Sequence, residues 1–307
     1  MPYMLLPLAA LHVGEATPPA LASVVYVVLY TKRAHTLARE GRRVPAWRIV
    51  SFVFGVVTLT VAQIGPLDGL ADEVLVAHMA QHLFISDVAS LFVVLGLTGP
   101  VLAPLLHFRL TRPLRLLASP ALALVLWAVD LYMWHVPFFY QAAINHDLVH
   151  AAEHAAFFWF GALLWLALIG PLPKPAWFTG WGKLLYVIGV RFVGAVLANV
   201  LIWAQTVFYP VYNPTDHARG LNVLSDQNLA GGLMMVEEIM LSTLLLGWLF
   251  YRFAKQDEER QQLIDLAAEH GVELTEERAA RAAAAGQADR LRERLLSGSA
   301  GPPSGDG

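Results

Sequence analysis

The chain has 307 residues, 57% hydrophobic and 15% charged, with a mean hydropathy of +0.53. A soluble domain lies nearer ~45–50% apolar and ~25% charged, so long apolar runs with charge confined to short connections and a tail indicate a bilayer protein. A net charge of −3 with no basic stripe gives no reason to expect nucleic acid, and the absence of cysteine excludes disulfides, thiolate metal ligation and a cysteine nucleophile.

From the N-terminus, Met1–Thr17 has neither a basic leading region nor a small-residue cleavage site, so it is not read as a removable signal. The first span is expected to act as its own insertion signal. A bilayer span needs roughly 20 mostly apolar residues, and seven stretches qualify, at about 17–32, 46–65, 72–97, 117–135, 144–170, 181–207 and 227–252. Breaks at Gly65–Pro66, Gly99–Pro100, Gly170–Pro171 and Tyr209–Pro210 fall at expected span ends. The fold class expected is therefore an all-α polytopic bundle of seven transmembrane helices. No internal repeat supports an inverted-repeat transporter.

Orientation follows from basic residues counted near span ends. Lys32, Arg33, Arg39, Arg42, Arg43 and Arg48 follow the first span, and Arg109, Arg112 and Arg115 the third. Lys174 and Lys183 follow the fifth, and Arg252 and Lys255 begin the tail. The alternate connections carry Asp68, Asp72, Glu73, Asp147 and Asp216, with Arg219. This places the N-terminus outside and the C-terminus in the cytoplasm. Residues 1–254 are the membrane domain. Residues 255–296, rich in Ala, Glu, Arg, Gln and Leu, form a solvated helical tail broken at Gly271, with Thr275 as an N-cap. Residues 297–307, rich in Gly, Ser and Pro, are expected to be disordered.

Of 11 histidines, a subset gathers at the outer span ends. His78 and His82 stand four apart in the third span; His146, His150 and His154 step by four from the start of the fifth; His135 ends the fourth. At about 100° per residue a four-residue step returns to nearly the same helix face, so each set is a stripe at matching depth. Ionisable groups in hydrocarbon face the bundle interior or a wet cavity and are functional by default. Gln81, Asp87, Asp130, Asn145, Asp147 and Glu153 accompany them, and carboxylates beside imidazoles orient ligand rings. Met79, Met133, Met234 and Met235 add thioethers, and imidazole with thioether and no thiolate suits copper. His12 and His217 are weaker outer-side candidates, and His35, His107 and His270 fall on the cytoplasmic side. Helix packing without any cofactor is the structural alternative, and haem held between two opposing histidines is a second. A zinc hydrolase is disfavoured: His78-Met-Ala-Gln-His82 lacks the Glu after its first His, and His150-Ala-Ala-Glu-His154 has Glu before its second. Metal affinity is expected to fall below about pH 6–6.5, where free imidazole protonates.

These motifs resemble a known family. His78-Met-Ala-Gln-His82-Leu with Leu95-Gly-Leu-Thr-Gly-Pro100, then Trp134-His-Val-Pro137 with Tyr140, His150 and Glu153-His154, then Tyr209-Pro210 and Asp226-Gln-Asn-Leu-Ala-Gly-Gly-Leu-Met234, are similar in order to blocks of the caa-type cytochrome c oxidase assembly factor family, CtaG. The resemblance implies a non-enzymatic assembly factor for haem–copper oxidase, multi-pass in the bacterial plasma membrane. Its partners would be oxidase subunits and the lipid bilayer, with a homo-oligomer left open, and it would assist copper insertion. It carries over onto His78, His82, His135, His150 and His154, with Asp226, Gln227 and Met234 in support. The full metal-site expectation adds His146 and Met79, with Glu153, Asp226, Gln227 and Asp87 orienting the ligands. Ser86-Asp87 and Glu237-Glu238 are more polar than the family pattern, and the tail lies outside it.

Overall fold

The computed structural model describes residues 13–107, 119–175 and 177–297. Arg109, Arg112, Arg115, His12 and the expected disordered end after Ser297 lie outside the described residues. No strand occurs among the described residues. In chain order the helices are α1 (Val13–Arg39), α2 (Ala46–Ile64), α3 (Pro66–Ala71) and α4 (Leu75–Leu83), followed by a π-helical segment, Phe84–Ala89. Then come α5 (Ser90–Gly96), α6 (Gly99–His107), α7 (Pro120–His135), α8 (Pro137–Asn145), α9 (Asp147–Leu168) and α10 (Gly180–Trp203). A 3-10 turn at Pro210–Tyr212 leads to α11 (Asn213–Arg219), α12 (Val223–Glu269), α13 (Glu276–Ala284) and α14 (Ala288–Leu296).

Five helical stretches have the length and apolarity to cross a bilayer: Ala46–Ile64, Leu75–Gly96, Asp147–Leu168, Gly180–Trp203 and Val223–Glu269. The pair α7 and α8 makes a sixth if counted as one span, bent by 72°. Pro137 causes the bend: it removes an amide donor, and Val136 before it turns extended, at φ −66° and ψ 128°. The expected first span falls inside α1, which is long enough. It is not among the five.

The chain divides into two compact units, Met1–Ser242 and Thr243–Gly307. In the first, α2 packs on α5 and the π segment, and α9 packs on α7, the π segment and α5. The ends opposite the histidines are tied by side chains reaching helix carbonyls. Arg48 Nη1 donates to the Leu95 and Leu97 carbonyls at 2.9 Å each, Arg33 to Pro100 at 2.9 Å, and the Tyr30 hydroxyl to Gly96 at 2.8 Å. At the histidine end, the Asp226 carboxylate of α12 accepts from the amides of Leu75 (2.6 Å) and Val76 (3.2 Å). It caps α4 from 151 residues away, filling orphan donors that no local side chain reaches.

The π segment sits midway along the third span, a form that is rare and concentrated at functional sites. It carries Asp87 and brings the Ser86 carbonyl against Gly161 of α9, so closely that a Cβ at Gly161 would overlap it.

In the second unit, Gly271 and Gly286 take positive φ (66° and 65°). Val272 then donates to Ala267 at 2.9 Å and Gln287 to Ala282 at 2.8 Å, each closing a helix with a left-handed glycine cap. Thr275 caps α13 through Arg278, and the expected second tail helix is split in two at Gly286. The tail helices are not solvated all round: Leu263, Ala267, Ala279, Ala288, Leu291 and Leu295 share an apolar core.

Two alanine substitutions separate close packing from mere helix propensity. Gly161→Ala is expected to destabilise the bundle by about 1–3 kcal/mol through overpacking. Gly232→Ala, with nothing within 4 Å of its added carbon, is expected to be neutral or stabilising, by up to about 1 kcal/mol. Thermal midpoints of the detergent-solubilised full chain check this; equal shifts would refute the contact.

Candidate metal centre

α4 and α9 cross so that their polar faces meet. His78 and His82 project from α4, their ring centroids 4.2 Å apart, and His150 and His154 from α9, also 4.2 Å apart. Across the helices His78 stacks on His150 at 5.4 Å and 19°, while His82 meets His154 edge-on at 5.4 Å. Glu153 lies among them: its Oε2 is 3.9 Å from His78 Nε2 and 3.7 Å from His82 Nε2. His78, His150 and Glu153 each offer one ligand atom, and these three atoms lie within 4.8 Å of one another.

The centre is dry. His78 and Glu153 are fully buried, and His82 and His154 nearly so. Neither Glu153 oxygen has a hydrogen-bond donor, and Nε2 of His150 and of His154 is likewise unpartnered. No ring nitrogen of His78 or His82 makes a well-formed hydrogen bond; His78 lies near the Ala71 carbonyl, which already accepts from the Tyr212 hydroxyl. Buried polar atoms are almost always satisfied, and each exception calls for a ligand or a reason. Imidazole lone pairs around a carboxylate supply what a divalent or cuprous ion needs, so the side chains present fit a metal.

Three tyrosines close the histidine end. The Tyr140 ring packs 5.1 Å from His78, and its hydroxyl meets that of Tyr212 at 2.9 Å. Because Tyr212 spends its proton on the Ala71 carbonyl (3.2 Å), Tyr140 is the donor between them. Tyr209 donates to the His135 carbonyl at 2.8 Å, locking the turn before α11 onto the end of α7. Only Tyr140 and Tyr209 carried any sequence signal, through the motif blocks; Tyr212 carried none.

The remaining expected residues lie elsewhere. His146 is not on the stripe: it is the exposed cap residue before α9, in extended backbone (φ −142°, ψ 110°), so the run of three is a pair. His135 ends α7, 6.2 Å from Phe157 and outside the three-ligand group; its Nδ1 donates to the Leu131 carbonyl at 2.7 Å. Met79 and Met234 are buried and line one cavity with His82 and His135. Asp226 caps α4. Gln227 holds the connection after α10, accepting from the Phe208 amide (2.7 Å) and donating to the Thr206 carbonyl (3.0 Å). Asp87 accepts from the Ser86 hydroxyl at 2.8 Å and faces Arg191 rather than the histidines. Asp130, unassigned from sequence beyond being polar, accepts from Trp134 Nε1 at 2.9 Å and keeps its other oxygen unpartnered. His217 is exposed on α11.

Compared with known families, the chain matches a family model described as "Cytochrome c oxidase caa3 assembly factor (Caa3_CtaG)" over residues 26–256. No curated protein and no solved structure matches it.

Asp216 of α11 is fully buried with neither carboxylate oxygen paired. Burial first, then the neighbouring Asp226 carboxylate, push it up to about 6, with His217 opposing. An unfolded Asp releases its proton near pH 4. The folded form therefore keeps its full advantage while both states are protonated, and loses it as pH rises from about 4 to about 6. Asp216→Asn is expected to remove that part of the pH dependence and raise the thermal midpoint at pH 7. Melting curves between pH 4 and 7 check it, and parallel wild-type and variant profiles would refute it.

Proposed function

We propose that this chain, which belongs to the cytochrome c oxidase caa3 assembly factor family, binds copper at the centre between α4 and α9 and assists its insertion into the oxidase. The observation that carries the reading is the His78, His150 and Glu153 group: three ligand atoms within 4.8 Å, two of the residues fully buried, unpartnered lone pairs on each. His82 and His154 stand within one ring's reach as further or exchanging ligands. Glu153 supplies the anionic ligand and orients its neighbours.

The same reading takes α1 as a seventh span, with the N-terminus outside and the C-terminus in the cytoplasm of a bacterial plasma membrane. The basic residues that follow α1 and α6, and the acidic connections nearly free of lysine and arginine beside the histidines, support it. The metal centre then opens outward, and the role is delivery to oxidase subunits rather than catalysis. Haem fits less well, because His78 and His150 stack directly and leave no slot for a macrocycle between them.

Purified full-length chain, loaded with copper and washed, tests the centre. The copper held at this centre is expected to be lost in His78→Ala/Glu153→Gln, a drop of one ion per chain, and its binding to weaken at least severalfold in His82→Ala and His150→Ala, with membrane insertion unchanged in all. Cells carrying the double variant in place of the wild type are expected to accumulate oxidase depleted of copper. Wild-type copper content in the double variant sinks the site, and a Soret band in the purified protein moves the reading to haem.

A further inference from the structure

Inside the first unit, beneath the outer centre, lies a cavity of about 30 Å³. That is enough for an ion or about two waters. Its lining brings Met79, His82, His135 and Met234 together with Asp87, Glu237 and Glu238. Met79, His82 and Ser86 step by three and four along the third span, which turns this second face toward the cavity while His78 faces α9.

The His135 ring is built like a ligand. Its Nδ1 proton goes to the Leu131 carbonyl, which fixes the tautomer with Nε2 bare, and Nε2 is unpartnered on a residue 7% exposed. A histidine whose second nitrogen is held by a backbone carbonyl is the usual orientation of a metal-bound imidazole. His82, 5% exposed, borders the same cavity with both nitrogens lacking a partner. The thioethers of Met79 and Met234, 1% and 6% exposed, complete a soft, uncharged donor set.

The carboxylates in the lining favour a cation. Arg191 of α10 pairs with Glu238 at 2.7 Å and lies 3.7 Å from Glu237, and Asp87 stands beside it, so three carboxylates face one guanidinium. Gly194 is what admits Glu238: a Cβ there would overlap the carboxylate.

We propose that this cavity is a second metal station, distinct from the outer centre, that takes a soft monovalent cation of the cuprous class on His135 Nε2 and the Met79 and Met234 thioethers. His82 stands between the two stations. The outer centre offers imidazole and carboxylate, donors that also suit a cupric or other divalent ion; the inner one offers thioether and imidazole, which select the cuprous state. The inference stands on its own donors and does not require metal at the outer centre.

The full-length chain, titrated anaerobically with cuprous ion against a chromophoric cuprous chelator and then measured by X-ray absorption, decides it. The wild type is expected to show a sulfur shell around copper. Met79→Leu/Met234→Leu, which keeps side-chain volume, is expected to lose one bound ion and the sulfur shell together at an unchanged thermal midpoint. His135→Phe is expected to lose the same ion. His78→Ala/Glu153→Gln is expected to keep the sulfur-bound ion; if that variant binds as much copper as wild type, the outer reading falls and the inner station stands. Copper in the wild type with only nitrogen and oxygen neighbours, or a methionine variant with undiminished binding, would overturn the inner station.

Discussion

Glu153 is buried at the meeting of two apolar helices with neither oxygen hydrogen-bonded, and histidines from both helices surround it. In a medium of low dielectric, a carboxylate in that position is tolerable only with a proton or a cation beside it, and the surrounding imidazoles present lone pairs suited to either. The other features of the first unit follow from holding this arrangement steady. The α4 face must meet the α9 face in register, and nothing local to α4 fixes its start. Asp226 does so from α12, so the histidine pair is positioned by a residue from the far end of the membrane domain.

The π segment extends the same logic one turn further. Widening the helix at Phe84–Ala89 lets the third span present two faces to polar partners, His78 toward α9 and Asp87 toward Arg191. Close contact at Gly161 then seats α9 on the widened turn. Polar groups of the third span are thus turned toward two sets of partners, the histidines of α9 and Arg191.

Much of this was legible in the chain. Four-residue spacing identified the pairs His78/His82 and His150/His154, and their matching depth implied that they face each other, because side chains one turn apart share a helix face. The same spacing misled for His146, since periodicity does not mark where a helix begins, and the extended backbone there takes that ring off the stripe. Asp226 and Gln227 read as members of a motif block, yet their partners are backbone amides and carbonyls up to 151 residues away, which no local pattern encodes. The π segment left no trace in composition. Tyr212, donor to a carbonyl beside His78, could not be singled out from a polar connection. In the tail, Gly271 and Thr275 announced their roles as stop and cap, but the shared core of Leu263, Leu291 and Leu295 was hidden because its apolar stripe is narrow and rich in alanine.

The space beside Arg191 is shaped by a residue with no side chain. Glu238 reaches its guanidinium through the volume that Gly194 leaves empty, so a side chain at 194 would displace the acid's flexible end. A chain that acquires a larger residue at 194 must redirect the acid at 238, leaving more of the counter-charge for the buried arginine at 191 to Glu237 and Asp87. Inheritance at these three positions is therefore expected to travel as a set, a correlated signature that alignments of related chains would carry even though glycine itself touches no ligand and bears no charge.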